Sequence, residues 1–184
     1  MSGDPGASPT TLVPEGCDER EYARLLGYPW GRPLEGDVRA RAVQAAHWYR
    51  DHGRPRVYTR DLDAMKIAVL SAGPEVEREV DRLWAADQVD EAYFLDRYAA
   101  AVVERLAREL GPYRSPGCGT LPFEEQRTLF AHVAPLALDV EMLRSGMLKP
   151  RHSLLAVVPL GARGSGNPCT RCDLEACRFR RGPA

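Results

Sequence analysis

The chain has 184 residues, of which 44% are hydrophobic and 28% are charged, and this composition excludes a disordered protein. A formal net charge of −1 gives no electrostatic reason to expect a nucleic acid or an anionic membrane as a partner. No apolar run approaches the ~20 residues of a membrane-spanning helix, and Met1 to Pro14 lacks the basic and apolar regions of a signal peptide. We therefore expect a cytoplasmic protein whose cysteines are reduced.

Composition divides the chain into three parts. Residues 1–18 begin with a stretch rich in Gly, Pro, Ser and Thr and are predicted to form a flexible tail. Residues 19–161 are predicted to form one folded core, a length that is sufficient to bury a hydrophobic interior. Residues 162–184 are predicted to be a Gly-rich tether that carries a cysteine-rich end.

Apolar periodicity predicts a mixture of helices and strands along the core. The predicted helices cover residues 19–26, about 38–53, a stretch from Pro74, 92–110 and about 123–133. The predicted strands cover residues 56–60, 67–70, 136–142 and 154–158. In the helix from Pro74, the expected buried stripe consists of Val76, Val80, Leu83 and Trp84. Because strands and helices do not alternate regularly, we expect an α+β fold with one largely antiparallel or mixed sheet.

Three cysteines near the C-terminus indicate a metal site. Cys169, Cys172 and Cys177 form a C-x2-C-x4-C run, and a two-residue gap lets one turn direct both sulfurs to the same point. Neighbouring arginines favour the thiolate form. We expect zinc or an iron–sulfur cluster, and free thiols or a disulfide are the alternative. A fourth ligand would come from an exogenous group or from Cys17, Cys118 or His152. An iron–sulfur cluster with one open iron would need no fourth ligand from the protein.

The segment from Arg114 to Pro122, called the Arg114 loop below, is a candidate ligand site. It contains two prolines, two glycines and one arginine. Glycines let a backbone approach a ligand closely, and an arginine can bind a carboxylate through two parallel hydrogen bonds. The same composition also fits a rigid connection between two helices.

The motif Arg-Ser-Pro-Gly at Arg114 to Gly117 is followed by a proline and by Glu124-Glu125-Gln126. Other motifs occur in order along residues 20–181: Leu25 to Tyr28, Gly73 to Glu77, Asp96, Val103-Glu104, Ser145 to Pro150, Ser153 and Cys177-Arg178. Together they resemble the reactivation domain of vitamin B12-dependent methionine synthase and its small stand-alone relatives.

This resemblance implies an α+β fold with a twisted, mainly antiparallel sheet. It also implies binding of S-adenosylmethionine, whose methyl group the domain presents to an oxidised corrinoid while an electron donor reduces the cobalt. Cobalamin would belong to a partner, because the chain has no Asp-x-His-x-x-Gly motif. The resemblance assigns the ligand's carboxylate to Arg114 and its ammonium or sulfonium charge to Glu104. The implied ligand-binding residues are Glu104, Arg114, Ser115, Pro116, Gly117 and Gly119.

Two functions follow as hypotheses. In the first, the chain is a stand-alone module that binds S-adenosylmethionine or a related amino-acid-like ligand and assists a corrinoid-dependent methyltransferase through a corrinoid protein partner. In the second, the fold serves specialised metabolism as one subunit of an elimination or ring-closing enzyme, for example an aziridine-forming lyase. The candidate catalytic residues are then Glu104, Cys118, His132 and His152. Both hypotheses predict a protein partner that contacts the surface near the Arg114 loop.

Overall fold

The computed structural model describes residues 17–118, 121–137, 139–162 and 169. Its helices are α1 (Glu19–Leu25), α2 (Gly36–His52), α3 (Pro74–Ala85), α4 (Val89–Glu109) and α5 (Glu125–Val133). Its strands are β1 (Arg56–Leu62), β2 (Met65–Ser71), β3 (Glu141–Met142), β4 (Leu148–Lys149) and β5 (Ser153–Pro159). The predicted helices are confirmed, and so are the three longer strands. The predicted tail and tether lie almost entirely outside the described residues and stay predictions.

Short-range signals explain where the helices begin. The side chain of Asp18 accepts a hydrogen bond from the Arg20 N–H (2.9 Å) and so caps α1. Pro74 occupies the first turn of α3, where a backbone N–H would have no partner within the helix. Each of these helices then buries one apolar face against α4, which is also contacted by α2.

Strand β2 is the centre of a three-stranded antiparallel sheet with the order β1-β2-β5. Successive side chains of a strand point to opposite faces. Ala68 and Leu70 belong to the core formed with helices α1 to α4, whereas Ile67 and Val69 belong to a second core formed with α5. All four are fully buried. The expectation of a continuous apolar strand covered on both faces is therefore confirmed.

Strands β3 and β4 form a separate two-stranded antiparallel sheet. The architecture is α+β and antiparallel, as expected from the sequence. Among the described residues, no helix has both the length and the apolar character needed to span a membrane.

Two predictions about local structure are wrong. Trp84 is 48% exposed, because the buried positions of α3 are Val76, Val80 and Leu83 and the next residue points about 100° away from that stripe. The strand predicted over residues 136–142 is reduced to Glu141–Met142. Before it, Ala137 and Val140 are buried in the second core, and neither belongs to a strand. Leu138, one residue of that pattern, lies outside the described residues.

Candidate functional site

The Arg114 loop starts at the free edge of β5. The Arg114 N–H donates to the Val157 carbonyl (2.9 Å), and the Val157 N–H donates to the Arg114 carbonyl (2.8 Å). The other edge of β5 pairs with β2, so this bridge extends the main sheet by one residue. The backbone of Arg114 is therefore held by the sheet and not by the loop alone.

The side chain of Arg114 is available to a ligand. The residue is exposed, and its guanidinium forms no hydrogen bond or ion pair with any residue that the structure describes. Other arginines, such as Arg56 and Arg151, are each paired with two carboxylates. A guanidinium presents five N–H donors in a planar fork that matches a carboxylate. A guanidinium without an ion pair can bind an anion without first giving up another carboxylate partner.

The loop itself is a compact turn. The Cys118 N–H donates to the Ser115 carbonyl (3.0 Å), and the Gly117 N–H donates to the Leu121 carbonyl (2.9 Å). Gly117 has a φ of +80°, a conformation that side chains other than glycine rarely adopt. Ser115 and Pro116 are buried, whereas Gly117 and Cys118 are exposed. The tip of the loop therefore offers backbone to solvent, although Gly119 lies outside the described residues.

A phenylalanine joins this loop to a distant turn between β3 and β4, residues 143–147, called the β3–β4 turn below. An added Cβ at Gly117 would lie 3.4 Å from Cδ2 of Phe123, and one at Gly146 would lie 3.0 Å from its Cε1 and Cζ. The buried Gln126 donates from Nε2 to the Gly146 carbonyl (2.5 Å). The Arg114 loop, the segment from Phe123 to Gln126 and the β3–β4 turn thus form one cluster.

Glu104 lies on another side of the Arg114 segment. Its Oε2 accepts a hydrogen bond from the hydroxyl of Tyr113 (3.0 Å), a buried residue that the sequence analysis did not single out. Consecutive side chains of an extended segment point in opposite directions. Tyr113 is accordingly buried where Arg114 is exposed, and no bond joins Glu104 to the guanidinium. The only signal for Tyr113 in the sequence was its position beside Arg114.

His152 is held by a carboxylate far from the loop. Its Nε2 lies 2.7 Å from Oδ1 of Asp96 in α4, and the two side chains are only 12% and 13% exposed. Burial raises the pKa of the Asp96 carboxyl, but the hydrogen bond with His152 and the nearby positive charges outweigh it and lower that pKa. His152 directly precedes β5, five residues before Val157, the residue that pairs with Arg114. At ~3.4 Å per residue, His152 and Val157 are about 17 Å apart along the strand.

The four candidate catalytic residues are therefore not brought together. Glu104 contacts Tyr113, His152 contacts Asp96, and His132 lies in the last turn of α5. Only Cys118 lies in the Arg114 loop, where it is exposed. The arrangement at the Arg114 loop is suited to holding a ligand, and the histidine–carboxylate pair of His152 and Asp96 lies away from it.

The predicted metal site cannot be built from the described residues. Within residues 17–118, 121–137, 139–162 and 169, no group of three His, Cys, Asp or Glu side chains could hold a metal ion. Cys172 and Cys177 lie outside these residues, so the three-cysteine site stays a prediction. Cys17 is poorly suited to be its fourth ligand, because burial raises the pKa of its thiol to about 12.

Comparison with known proteins identifies the fold. No model of a known protein family matches the chain, and no curated protein sequence resembles it. A solved structure does match: the MetH reactivation domain bound to AdoHcy, with a TM-score of 0.57 and 9% sequence identity. The match covers 82% of this chain and 76% of that chain. The chain has the fold of a reactivation domain. The resemblance seen in the sequence motifs is thereby confirmed for the fold, and the roles of individual residues stay predictions.

Proposed function

We propose that this chain is a binding module that holds S-adenosylmethionine, or a related amino-acid-like ligand, at the Arg114 loop and assists a corrinoid-dependent methyltransferase. One observation carries the proposal: an exposed arginine with no partner among the described residues is anchored to the sheet of a reactivation-domain fold. The similar domain is described as bound to AdoHcy. S-Adenosylmethionine and its product S-adenosylhomocysteine share an α-amino carboxylate, which is the group that a guanidinium fork recognises.

The proposal assigns recognition of the carboxylate to Arg114. The exposed backbone at Gly117 can approach the rest of the ligand closely, because glycine has no side chain. Ser115, Pro116 and Gly119 stay predicted members of the loop site. Contact of Glu104 with the ligand's positive charge also stays a prediction, and Tyr113 would then fix the orientation of its carboxylate. Catalysis would consist of positioning a methyl donor, without a side chain that attacks it.

An exposed apolar patch beside the loop supports the need for a partner. It consists of Phe123, Leu143 and Met147, which are 39%, 41% and 57% exposed. The last two are the first and last residues of the β3–β4 turn, where the Leu143 N–H donates to the Met147 carbonyl (2.8 Å). A contiguous patch of exposed apolar side chains can mark a contact surface. We propose that a corrinoid protein covers this patch and brings cobalamin to the ligand.

The alternative of a lyase subunit gains no support from the structure, because its candidate bases lie apart from one another. It stays a prediction that depends on groups from a partner. Co-expression with the products of adjacent genes, followed by an activity assay of each component and of the mixture, would distinguish the two functions. A Met147→Ser variant should weaken the assembly, while Trp84→Ser, at an exposed residue of α3, serves as the matched control.

Calorimetry with S-adenosylmethionine and S-adenosylhomocysteine tests the ligand site. Loss of a forked, charged contact should weaken binding by about 2–4 kcal/mol in Arg114→Ala, which is about 30-fold or more in Kd. Arg78→Ala is the control, because Arg78 is an exposed arginine on α3 that pairs with no described residue. Equal affinity in wild type and Arg114→Ala, or no heat with either compound, would contradict the proposal.

A further inference from the structure

The ring of Phe123 lies between two glycines of different segments. Its Cδ2 edge faces Gly117 in the Arg114 loop, and its Cε1 and Cζ face Gly146 in the β3–β4 turn. The glycines have φ values of +80° and +88°, a backbone conformation that residues with a side chain rarely adopt. A Cβ at Gly146 would come within 3.0 Å of the ring, which is closer than ordinary contact.

The Arg114 loop is bonded to β5 through Arg114 and Val157, and to α5 through the Pro122 carbonyl, which accepts from the Glu125 N–H (3.3 Å). The loop bonds within itself through Gly117 and Cys118, and the turn bonds within itself through Leu143 and Gly146. Gln126 ties the turn to α5 by its bond to the Gly146 carbonyl, and Arg127 donates to the Arg144 carbonyl (3.1 Å). These bonds fix the turn relative to α5. None of the bonds made by the turn reaches Gly117, whereas the ring of Phe123 faces both Gly146 and Gly117 and so is a direct contact between the turn and the loop tip.

We propose that Phe123 is a positioning residue that sets the conformation of the Arg114 loop and transmits displacement of the β3–β4 turn to it. A partner that moves Leu143 or Met147 would shift Gly146, and the rigid ring would pass this shift to Gly117, three residues after Arg114. The site would thereby respond to docking at the apolar patch. The part of this inference that concerns ligand affinity rests on the proposed function, whereas the coupling between turn and loop does not.

Cys118 reports the conformation of the loop without any ligand, since it is exposed and directly follows Gly117. Its rate of alkylation by iodoacetamide would be measured in the full chain by peptide mass spectrometry. We expect Phe123→Ala and Gly146→Ala each to change this rate at least threefold and to weaken binding of S-adenosylmethionine at least fivefold. Gly161→Ala is the control for backbone strain, because Gly161 also has a positive φ (+76°) but an added Cβ would meet no atom within 4 Å.

The double variant Phe123→Ala/Gly146→Ala distinguishes coupling from general damage. Without the ring, the added Cβ at Gly146 meets no side chain that leads to the loop, so the double variant should behave as Phe123→Ala does. Phe123→Leu replaces Phe123→Ala if urea unfolding shows that the latter is not folded. An alkylation rate within twofold of wild type in the Phe123 variant, or fully additive effects in the double variant, would overturn the proposal. Altered alkylation in a protein that never binds S-adenosylmethionine would refute the proposed function but support the coupling.

Discussion

Replacing Asp96 by asparagine should destabilise the protein by about 2 kcal/mol at neutral pH. The Asp96 carboxylate is bonded to His152 (2.7 Å) and to Arg97 (3.0 Å), and its side chain is 13% exposed. A hydrogen bond to a charged group contributes about 1.5–3 kcal/mol. The amide oxygen of asparagine can still accept one of these hydrogen bonds, and Arg97 is partly exposed to solvent. We therefore expect a loss of stability that is smaller than the summed contribution of two such bonds. For a chain of this size the loss corresponds to a fall in Tm of about 4–8 °C.

The effect of Asp96→Asn should depend on pH in a definite direction. The pKa of Asp96 is lowered in the folded state, because burial, which raises it, is outweighed by His152, Arg97 and Arg151. A carboxyl whose pKa is lower in the folded than in the unfolded state stabilises the fold above its unfolded pKa of about 3.9. That stabilisation is lost as the pH falls through the folded pKa. The deficit of the variant should therefore be complete at pH 7 and should shrink below about pH 4.

Urea unfolding of wild type and Asp96→Asn across this pH range measures both quantities. Asp61→Asn is the matched control, since Asp61 forms an exposed ion pair with Lys66 and should contribute little. A double-mutant cycle with His152→Ala would show whether the two side chains act together. A variant as stable as wild type at pH 7, or a deficit that is as large well below pH 4 as it is at pH 7, would refute the reasoning.

Two further predictions concern the cysteines. Anaerobically purified protein should contain metal that is lost when Cys169, Cys172 and Cys177 are all replaced by serine. Metal analysis measures the content, and broad visible absorption indicates an iron–sulfur cluster whereas its absence indicates zinc. An unchanged metal content in the triple variant would contradict the site. Burial raises the pKa of the Cys17 thiol to about 12, so it should be alkylated at pH 8 far more slowly than the exposed thiol of Cys118. The two alkylation rates should become similar in urea. Equal rates in the folded protein would show that Cys17 is not protected.

The sequence by itself determined the main elements and the fold class. Helix α4 and strand β2 were predictable because apolar periodicity and end signals such as Gly111-Pro112 act over a few residues. The order of the motifs around Arg114 also led to the reactivation-domain fold, although identity to the similar solved structure is only 9%. Trp84 shows the limit of this method, since one position on a helix decides between burial and exposure.

Only the tertiary structure decided which functional side chains meet. His152 finds Asp96 across 56 residues of sequence, and Phe123 reaches Gly146 in another element. Glu104 was predicted beside the same ligand as Arg114, but its carboxylate bonds to Tyr113 on the buried side of the segment. The physical reason is that backbone hydrogen bonding and apolar spacing are local, whereas contacts between distant side chains depend on how whole elements pack.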